Sequence, residues 1–155
     1  MIEISVLNSG CEMWETVADF AENCSWRAGK QLSTLMKTKA FRDWERVIVA
    51  FEDGEPVGFC TLTEKDELSP EYPYSPLIGF VFVDERYRGN RLSEKMIRTA
   101  IEYAGTLGYD KVYLISGETG LYEKYGFRCI GDFETIYGGT EQLFYINTHN
   151  KKGEE

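Results

Sequence analysis

A basic turn between an apolar run and an amphipathic segment constrains this chain more than any other feature. The run Leu77–Val83 is followed by Tyr-Arg-Gly-Asn-Arg at residues 87–91, and apolar residues then recur at helical spacing over residues 92–104. This order predicts a strand, a short turn and a helix. Such a turn directs backbone N–H groups at one point beside the positive end of a helix dipole. The sequence therefore predicts an anion site there, and a phosphate or pyrophosphate fits it best.

Two segments together resemble the GNAT superfamily of N-acetyltransferases. The turn is similar to that family's coenzyme A-binding motif, Arg/Gln-x-x-Gly-x-Gly/Ala, and matches it from Arg88 to Ser93, with Arg91 where the motif has its first glycine. Residues 121–127, Leu-Tyr-Glu-Lys-Tyr-Gly-Phe, resemble a second box near the C-terminus of the family. The two boxes stand in the expected order, and the resemblance covers roughly residues 45–147.

The resemblance implies a single-domain α/β (α+β) acyl-CoA N-acyltransferase fold, with a central mixed, mostly antiparallel twisted sheet of about seven strands flanked by about four helices. One domain is expected over residues 1–147, followed by a polar tail at residues 148–155. Hydrophobic periodicity and turn residues predict the elements separately. The predicted strands are 2–7, 46–51, 57–63, 77–83, 111–115, 127–137 and 141–147, and the predicted helices are 11–24, 30–39, 91–107 and 119–125.

The resemblance also implies acetyl-CoA as co-substrate. Its pantetheine arm would run along Val81, Phe82 and Val83, where a backbone N–H would donate to the thioester oxygen. The turn would bind the pyrophosphate, because Gly89 permits a close backbone approach and Asn90 is a candidate helix cap. The residues expected at the turn are Arg88, Gly89, Asn90, Arg91, Leu92, Ser93 and Glu94, and Tyr125 is expected at the cofactor as well.

Proton transfer is assigned by the same resemblance. Tyr122 matches the family tyrosine that protonates the departing CoA thiolate, and a phenol with a pKa near 10 stays protonated at neutral pH. Tyr125 is the alternative acid. In many relatives a glutamate on the strand before the second box acts as the general base, but residues 111–115 contain no carboxylate. Glu118 is the nearest candidate base, and an amine that arrives deprotonated or loses its proton to water remains an alternative.

The loop at residues 64–76 is the expected acceptor-specificity element. Its carboxylates Asp66, Glu67 and Glu71 and its tyrosines Tyr72 and Tyr74 suit a cationic amine through charge and cation–π contacts. The N-terminal segment with Trp26, Arg27 and Lys30 is expected to close the other side of the site.

Composition excludes several function classes. The net charge of −9 argues against nucleic-acid binding; it also mildly favours a cationic substrate, although solubility explains it as well. No apolar run approaches the ~20 residues that a membrane span needs. His149 is the only histidine, which argues against Ser-His-Asp and Cys-His catalysis. The absence of a His/Cys cluster argues against a metal site.

The N-terminal residues predict a strand rather than a signal peptide. The four cysteines, Cys11, Cys24, Cys60 and Cys129, form no C-x-x-C pair and are expected to be reduced and at least half-buried in a cytoplasmic protein. Terminal hairpins often join dimers in the family, so Phe144, Tyr145 and Ile146 are candidate homodimer contacts by analogy.

The expected function is transfer of the acetyl group of acetyl-CoA to a primary amine, with a small molecule favoured, by direct attack in a ternary complex. A protein N-terminus or lysine is the alternative acceptor. The main alternative function is a non-catalytic acyl-CoA-binding sensor or interaction domain with the same fold.

Overall fold

A computed structural model describes residues 1–149 of the chain. Seven strands form one mixed sheet in the order β1-β2-β3-β4-β5-β7-β6, and only β4 and β5 are parallel neighbours. The expected mostly antiparallel sheet with four α-helices is confirmed. The elements are β1 (Ile2–Leu7), α1 (Trp14–Asn23), α2 (Ala28–Lys37), β2 (Arg46–Glu52), β3 (Glu55–Thr63), β4 (Leu77–Val83), a 3₁₀ turn (Glu85–Tyr87), α3 (Leu92–Thr106), β5 (Lys111–Ser116), α4 (Leu121–Lys124), β6 (Arg128–Glu134) and β7 (Thr140–Asn147).

Helices cover both faces of the sheet because the central strands carry apolar side chains on both sides. On β2, Ile48 belongs to the core under α3, whereas Val47 and Val49 belong to the core under α1 and α2. This alternation follows from the two-residue period of a strand. Each large apolar side chain buried in this way contributes about 1.5–3 kcal/mol to stability.

The middle of β4 departs from regular strand geometry. In the pairing with β3, Phe59 lies opposite Phe82 and Thr61 opposite Gly79, so two residues of β4 face one residue of β3. This is a β-bulge, and Phe80 within it has a φ of +48°, which is unusual for a bulky side chain.

β4 and β5 pair over only two positions, Leu77 with Tyr113 and Ile78 with Leu114. β4 continues to Val83 and β5 to Ser116, so the strands separate beyond the paired positions. Among residues 1–149, the side of β4 that faces β5 therefore has no strand partner from Gly79 onwards, and a gap opens between the two strands.

Several predicted boundaries are corrected by local hydrogen bonds. α1 begins at Trp14 rather than residue 11, because the Trp14 N–H first bonds the Cys11 carbonyl in a turn. α2 begins two residues early, at Ala28, and ends at Lys37. β6 ends at Glu134 rather than residue 137, because Thr135 instead bridges Leu68 of the loop at 64–76.

Burial bears on two further expectations. Phe144 and Ile146 are only 0% and 4% exposed and offer no dimer surface, whereas Tyr145 is half-buried, so a homodimer contact stays a prediction at Tyr145 alone. Cys129 is an exposed free thiol, whereas the other three cysteines are buried or half-buried as expected. Of the predicted tail, Thr148 donates its N–H to the Asp110 carbonyl, and residues 150–155 lie outside the described part. No helix within residues 1–149 is long and apolar enough to cross a membrane.

Candidate active site

A cavity of about 840 Å³ occupies the gap between β4 and β5. It runs from the basic turn, past the unpaired side of β4, to Ser116 and α4. Its volume lies within the range of small-molecule and cofactor sites, roughly 300–1,000 Å³. Most of the residues predicted from the sequence line it: Asp66, Val81, Phe82, Val83, Arg88, Gly89, Arg91, Leu92, Ser93, Glu118, Tyr122 and Tyr125.

The turn at one end has two left-handed residues, Gly89 with a φ of +88° and Arg91 with a φ of +58°. Arg91 holds the N-cap position of α3, and no side chain caps this helix. The expectation that Asn90 caps it is therefore wrong; its amide nitrogen lies 3.4 Å from the Tyr87 carbonyl oxygen instead. The uncapped first turn leaves backbone N–H groups without side-chain partners among residues 1–149, which is the arrangement that binds anions.

The acidic side chain of this turn is neutralised within the protein. Glu94 accepts a 2.7 Å hydrogen bond from Arg91 Nε and a 3.2 Å bond from Arg98 Nη2. Burial acts to raise the pKa of Glu94, but these hydrogen bonds outweigh it and hold the pKa below its usual value. The Glu94 charge is thus already compensated where an anion would bind.

Arg88 supplies a positive charge at the same end of the cavity. Its Nε donates to the Val83 carbonyl at 2.9 Å, and its guanidinium lies 5.7 Å from the centre of the Phe82 ring. Among residues 1–149 it forms no ion pair with a carboxylate, whereas neighbouring Arg86 is paired with Asp84.

α4 places two tyrosines beside the cavity. Tyr122 is 5% exposed and packs against Phe127 and Phe144. Burial raises its pKa to about 12, and the nearby Glu118 carboxylate acts in the same direction. The Tyr122 hydroxyl therefore stays protonated at neutral pH. The Tyr125 hydroxyl is hydrogen-bonded to Ser93 Oγ at 2.9 Å, which ties α4 to α3.

The other end of the cavity is acidic. Asp66 packs directly against Gly79, where an added Cβ would collide with its carboxylate. Burial raises the pKa of Asp66 to about 7. Burial and the negative charge of Glu141 also raise the pKa of Glu67. Gly79, Phe80 and Glu141 were not anticipated from the sequence, because their convergence with Asp66 and Glu67 depends on the bulge and on the path of the loop.

The structure does not bring the remaining loop residues to this cavity. Tyr72 and Tyr74 pack edge-on against Phe133 of β6, with ring centres 5.0 and 5.5 Å away. Glu71 is exposed and accepts a hydrogen bond from Ser69 Oγ at 3.2 Å.

A second cavity, of about 850 Å³, adjoins the first. The two share Trp26, Asp66, Glu67 and Phe80. Trp26 stacks on Phe82 with ring planes 3° apart and centres 6.0 Å apart. Trp26, Arg27 and Lys30 line the second cavity, on the side where the sequence placed them. Within residues 1–149 no group of three His, Cys, Asp or Glu side chains could hold a metal ion.

Comparison with known structures identifies the same fold in other acetyltransferases. An aminoglycoside 6'-acetyltransferase type Ii superposes with a TM-score of 0.73 at 13% identity over 96% of this chain and 99% of that one. An aminoglycoside 6'-N-acetyltransferase complexed with coenzyme A gives 0.71 at 12% identity, over 96% and 98%. Mutant forms of the spermidine/spermine N-acetyltransferase SpeG from Vibrio cholerae give 0.62 at 19% identity, over 96% and 95%.

Sequence comparison identifies the family. The uncharacterized N-acetyltransferase YhbS of Escherichia coli (strain K12) is 22% identical over 103 residues, or 65% of this chain. The alignment spans 60% of the length of this curated relative. The family model for the acetyltransferase (GNAT) family matches residues 12–127. This chain therefore belongs to the acetyltransferase (GNAT) family.

Proposed function

We propose that this protein transfers the acetyl group of acetyl-CoA to a primary amine by direct attack, with both substrates bound together. One observation carries the proposal. The side of β4 that has no strand partner within residues 1–149 leads from a basic turn without a side-chain cap to the buried ring of Tyr122, and Asp66 lines both this cavity and the second one.

The turn and β4 suit the two parts of coenzyme A. Free N–H groups in the first turn of α3 favour a pyrophosphate, and the residues assigned to it are Arg88 to Glu94. Along Val81, Phe82 and Val83, the side of β4 that faces the gap has no strand partner among residues 1–149 and can pair with an extended amide chain as an added strand would. The Val83 carbonyl already accepts a hydrogen bond from Arg88. A backbone N–H on this stretch is the donor that we assign to the thioester oxygen, where negative charge develops. The complex of a structural neighbour with coenzyme A supports this use of the fold.

We assign the general base to Asp66 in preference to Glu118. Asp66 lines both cavities, whereas Glu118 lines only the first and is exposed. A carboxylate with a pKa of about 7 is matched to proton transfer near neutral pH. From the sequence, Glu118 was the candidate base and Asp66 a candidate acceptor-binding residue, but of the two only Asp66 lines both proposed substrate sites.

The proposed reaction balances with these groups. The amine nitrogen bonds to the thioester carbonyl carbon, the C–S bond breaks, and the amine proton passes to Asp66. The departing thiolate takes the Tyr122 hydroxyl proton, which solvent replaces. Holding two substrates in adjoining cavities converts a bimolecular reaction into one within a single complex, a large source of rate enhancement.

The test is CoA release from acetyl-CoA across a panel of amines, measured by mass spectrometry because the four cysteines would react with a thiol dye. Turnover by the wild type that is lost in Tyr122→Phe supports the proposal. Tyr113→Phe is the matched control, since Tyr113 packs against Tyr74 and does not line the cavity. Binding of acetyl-CoA without turnover of any small amine, peptide N-terminus or lysine would instead indicate a non-catalytic acyl-CoA sensor.

A further inference from the structure

The second cavity has a charge pattern that the net charge of the chain does not predict. The chain carries 17 lysines and arginines against 26 acidic residues. Three of those cations, Arg27, Lys30 and Lys65, nevertheless line this one cavity, while its two carboxylates, Asp66 and Glu67, lie on the wall shared with the first cavity.

These three cations are not neutralised within the described protein. Among residues 1–149 none of them forms an ion pair. Lys30 Nζ donates to the Glu22 carbonyl at 3.2 Å, and the half-buried Lys65 donates to the Tyr72 and Tyr74 carbonyls at 2.6 and 3.4 Å. By contrast, Lys37 of the same helix α2 is paired with Asp19 at 2.9 Å and with Glu22 at 3.0 Å. Arg27 and Lys30 are exposed and Lys65 is half-buried, so their charges remain available to an anionic group of a molecule bound in this cavity.

A buried hydroxyl provides a second, independent indication of a polar ligand. Thr61 lines the same cavity from β3 and is 1% exposed, and its Oγ1 has no hydrogen-bond partner among residues 1–149. Buried polar groups in proteins are almost always hydrogen-bonded. A polar group of a bound acceptor could supply the partner that Thr61 lacks.

The remaining wall of the cavity is apolar and aromatic, with Trp26, Leu35, Phe41, Phe80 and Ile136. Across it, Gln31 Nε2 of α2 donates to the Tyr137 hydroxyl at 3.1 Å and links α2 to the β6–β7 turn. An occupant that uses this wall needs an apolar body as well as its charged groups.

We propose, on the basis of the function proposed above, that the acceptor is a small amine with an apolar body and a carboxylate. The amine lies at Asp66 and Glu67 beside the first cavity, and the carboxylate lies toward Arg27, Lys30 and Lys65. The planar guanidinium of Arg27 suits a carboxylate. A polyamine or an aminoglycoside would bring further positive charge toward these three cations, so acetylation of polyamines or aminoglycosides is not expected of this chain.

Matched substrate pairs that differ only in the carboxylate test the inference. Phenylalanine is compared with phenethylamine, and 6-aminohexanoate with pentylamine, with spermidine as the polycation and phosphoethanolamine as a phosphate-bearing amine. In at least one pair, we expect kcat/KM for the carboxylated amine to exceed that for its partner by about tenfold, mainly because its KM is lower. The same carboxylated amine should also have a higher kcat/KM than spermidine and phosphoethanolamine.

Variants then separate charge recognition from structural damage. Arg27→Gln and Lys30→Gln should raise KM for the carboxylated member about tenfold and leave KM for its decarboxylated partner within twofold. Lys37→Gln is the control on the same helix, because Lys37 is ion-paired and does not line the cavity; it should change neither KM.

Three results would overturn the inference. The first is equal or better turnover of both decarboxylated amines, and the second is a preference for spermidine or phosphoethanolamine. The third is that Arg27→Gln and Lys30→Gln raise KM equally for both members of a pair. If no amine is acetylated, the proposed function fails first. Calorimetric titration with phenylalanine, phenethylamine, 6-aminohexanoate and pentylamine then decides the inference separately: binding of a carboxylated member that Arg27→Gln weakens upholds it, and absence of such binding overturns it.

Discussion

The two adjoining cavities are built in different ways. The first lies between regular elements, and its proposed binding groups are largely backbone atoms of β4 and of the first turn of α3. The second is enclosed by the start of α2, the loop at residues 64–76 and the β6–β7 turn, and side chains supply its charge. A ligand held by backbone atoms can be bound whatever side chains the binding residues carry, whereas a ligand held by side chains is sensitive to substitution of those side chains.

This difference predicts separable effects of mutation. Changes at the α3 end should alter the affinity for coenzyme A, and changes at the acceptor end should alter the acceptor KM and the pH dependence. Substitution of a residue that transfers protons should lower kcat with little effect on the affinity for coenzyme A or for the acceptor.

The largest effect is expected for Tyr122→Phe. Removing the proposed proton donor should lower kcat by about 10²–10³-fold, the scale of general acid catalysis. The dissociation constant of CoA should stay within about twofold, because the phenyl ring keeps its packing against Phe127 and Phe144. Steady-state kinetics with calorimetric binding of CoA checks both. A parallel loss of kcat and CoA affinity would show that the hydroxyl is structural.

Asp66→Asn should lower kcat/KM by about 10²-fold at pH 8. In the wild type, kcat/KM should rise with pH through a pKa of about 7 as the Asp66 carboxylate loses its proton. The pH profile of the variant should lack this rising limb. Glu118→Gln, at an exposed carboxylate whose charge acts on Tyr122, is the control and should keep the limb. A limb that disappears only in Glu118→Gln would reassign the base.

Stability provides a check on the same variant. The pKa of Asp66 is raised by folding from an ordinary value near 4. The folded state therefore holds this proton more tightly, and its stability decreases as the pH rises from about 4 to about 7. Asparagine carries no charge, so the unfolding free energy of Asp66→Asn should exceed that of the wild type by about 1–2 kcal/mol at pH 8. The two should be equal at pH 4. Lower stability at pH 8 would contradict the raised pKa.

A smaller effect is expected when Asp66 is displaced rather than replaced. The Cβ of Gly79→Ala would collide with its carboxylate, which must then move. Because the carboxylate is the free end of a short side chain, we expect roughly tenfold lower kcat/KM with a shifted acid limb. Gly117→Ala is the control, since its Cβ would approach only a Glu141 oxygen at 3.8 Å. Unchanged kinetics in Gly79→Ala would remove the geometric argument for Asp66.

Sequence reasoning succeeded where local pattern determines structure. The strand–turn–helix from Leu77 to Thr106 and the short helix at Leu121–Lys124 follow from periodicity and two family-like boxes. The bulge at Phe80 could not be predicted, because no local preference places a phenylalanine at a φ of +48°. Its position depends on how β3, β4 and Trp26 pack together.

The acceptor end shows the same limit more clearly. Asp66 was one of five loop candidates, and composition could not distinguish it from Glu67, Glu71, Tyr72 and Tyr74. The distinction arises from tertiary contacts: Tyr72 and Tyr74 pack on Phe133, whereas Asp66 turns toward Gly79 on β4. The catalytic and binding roles assigned to these residues stay predictions.

At the α3 end, Gly89→Ala tests whether the backbone path of the turn matters. The φ of +88° is costly for any residue with a Cβ, by about 1–2 kcal/mol, although the added methyl meets no atom within 4 Å. If the turn shifts to relieve this strain, CoA affinity should fall about fivefold while the acceptor KM is unchanged. Gly54→Ala is the control, since Gly54 has a φ of +85° in the β2–β3 hairpin, away from the cavity. Equal CoA affinity in both variants would argue against backbone recognition.

The smallest effect is expected at Arg91, and it separates backbone from side-chain binding most directly. Arg91→Gly and Arg91→Ala remove the same guanidinium and the same exposed ion pair with Glu94, which is worth about 0–1 kcal/mol. Only glycine adopts the left-handed φ of +58° without strain. The melting temperature of Arg91→Gly should therefore exceed that of Arg91→Ala by a few degrees. If backbone N–H groups bind the pyrophosphate, CoA affinity should stay within about threefold of the wild type in the glycine variant. A tenfold loss in both variants would instead assign the phosphate contact to the Arg91 side chain, because a guanidinium is the only feature that the two have lost in common besides the Glu94 pair.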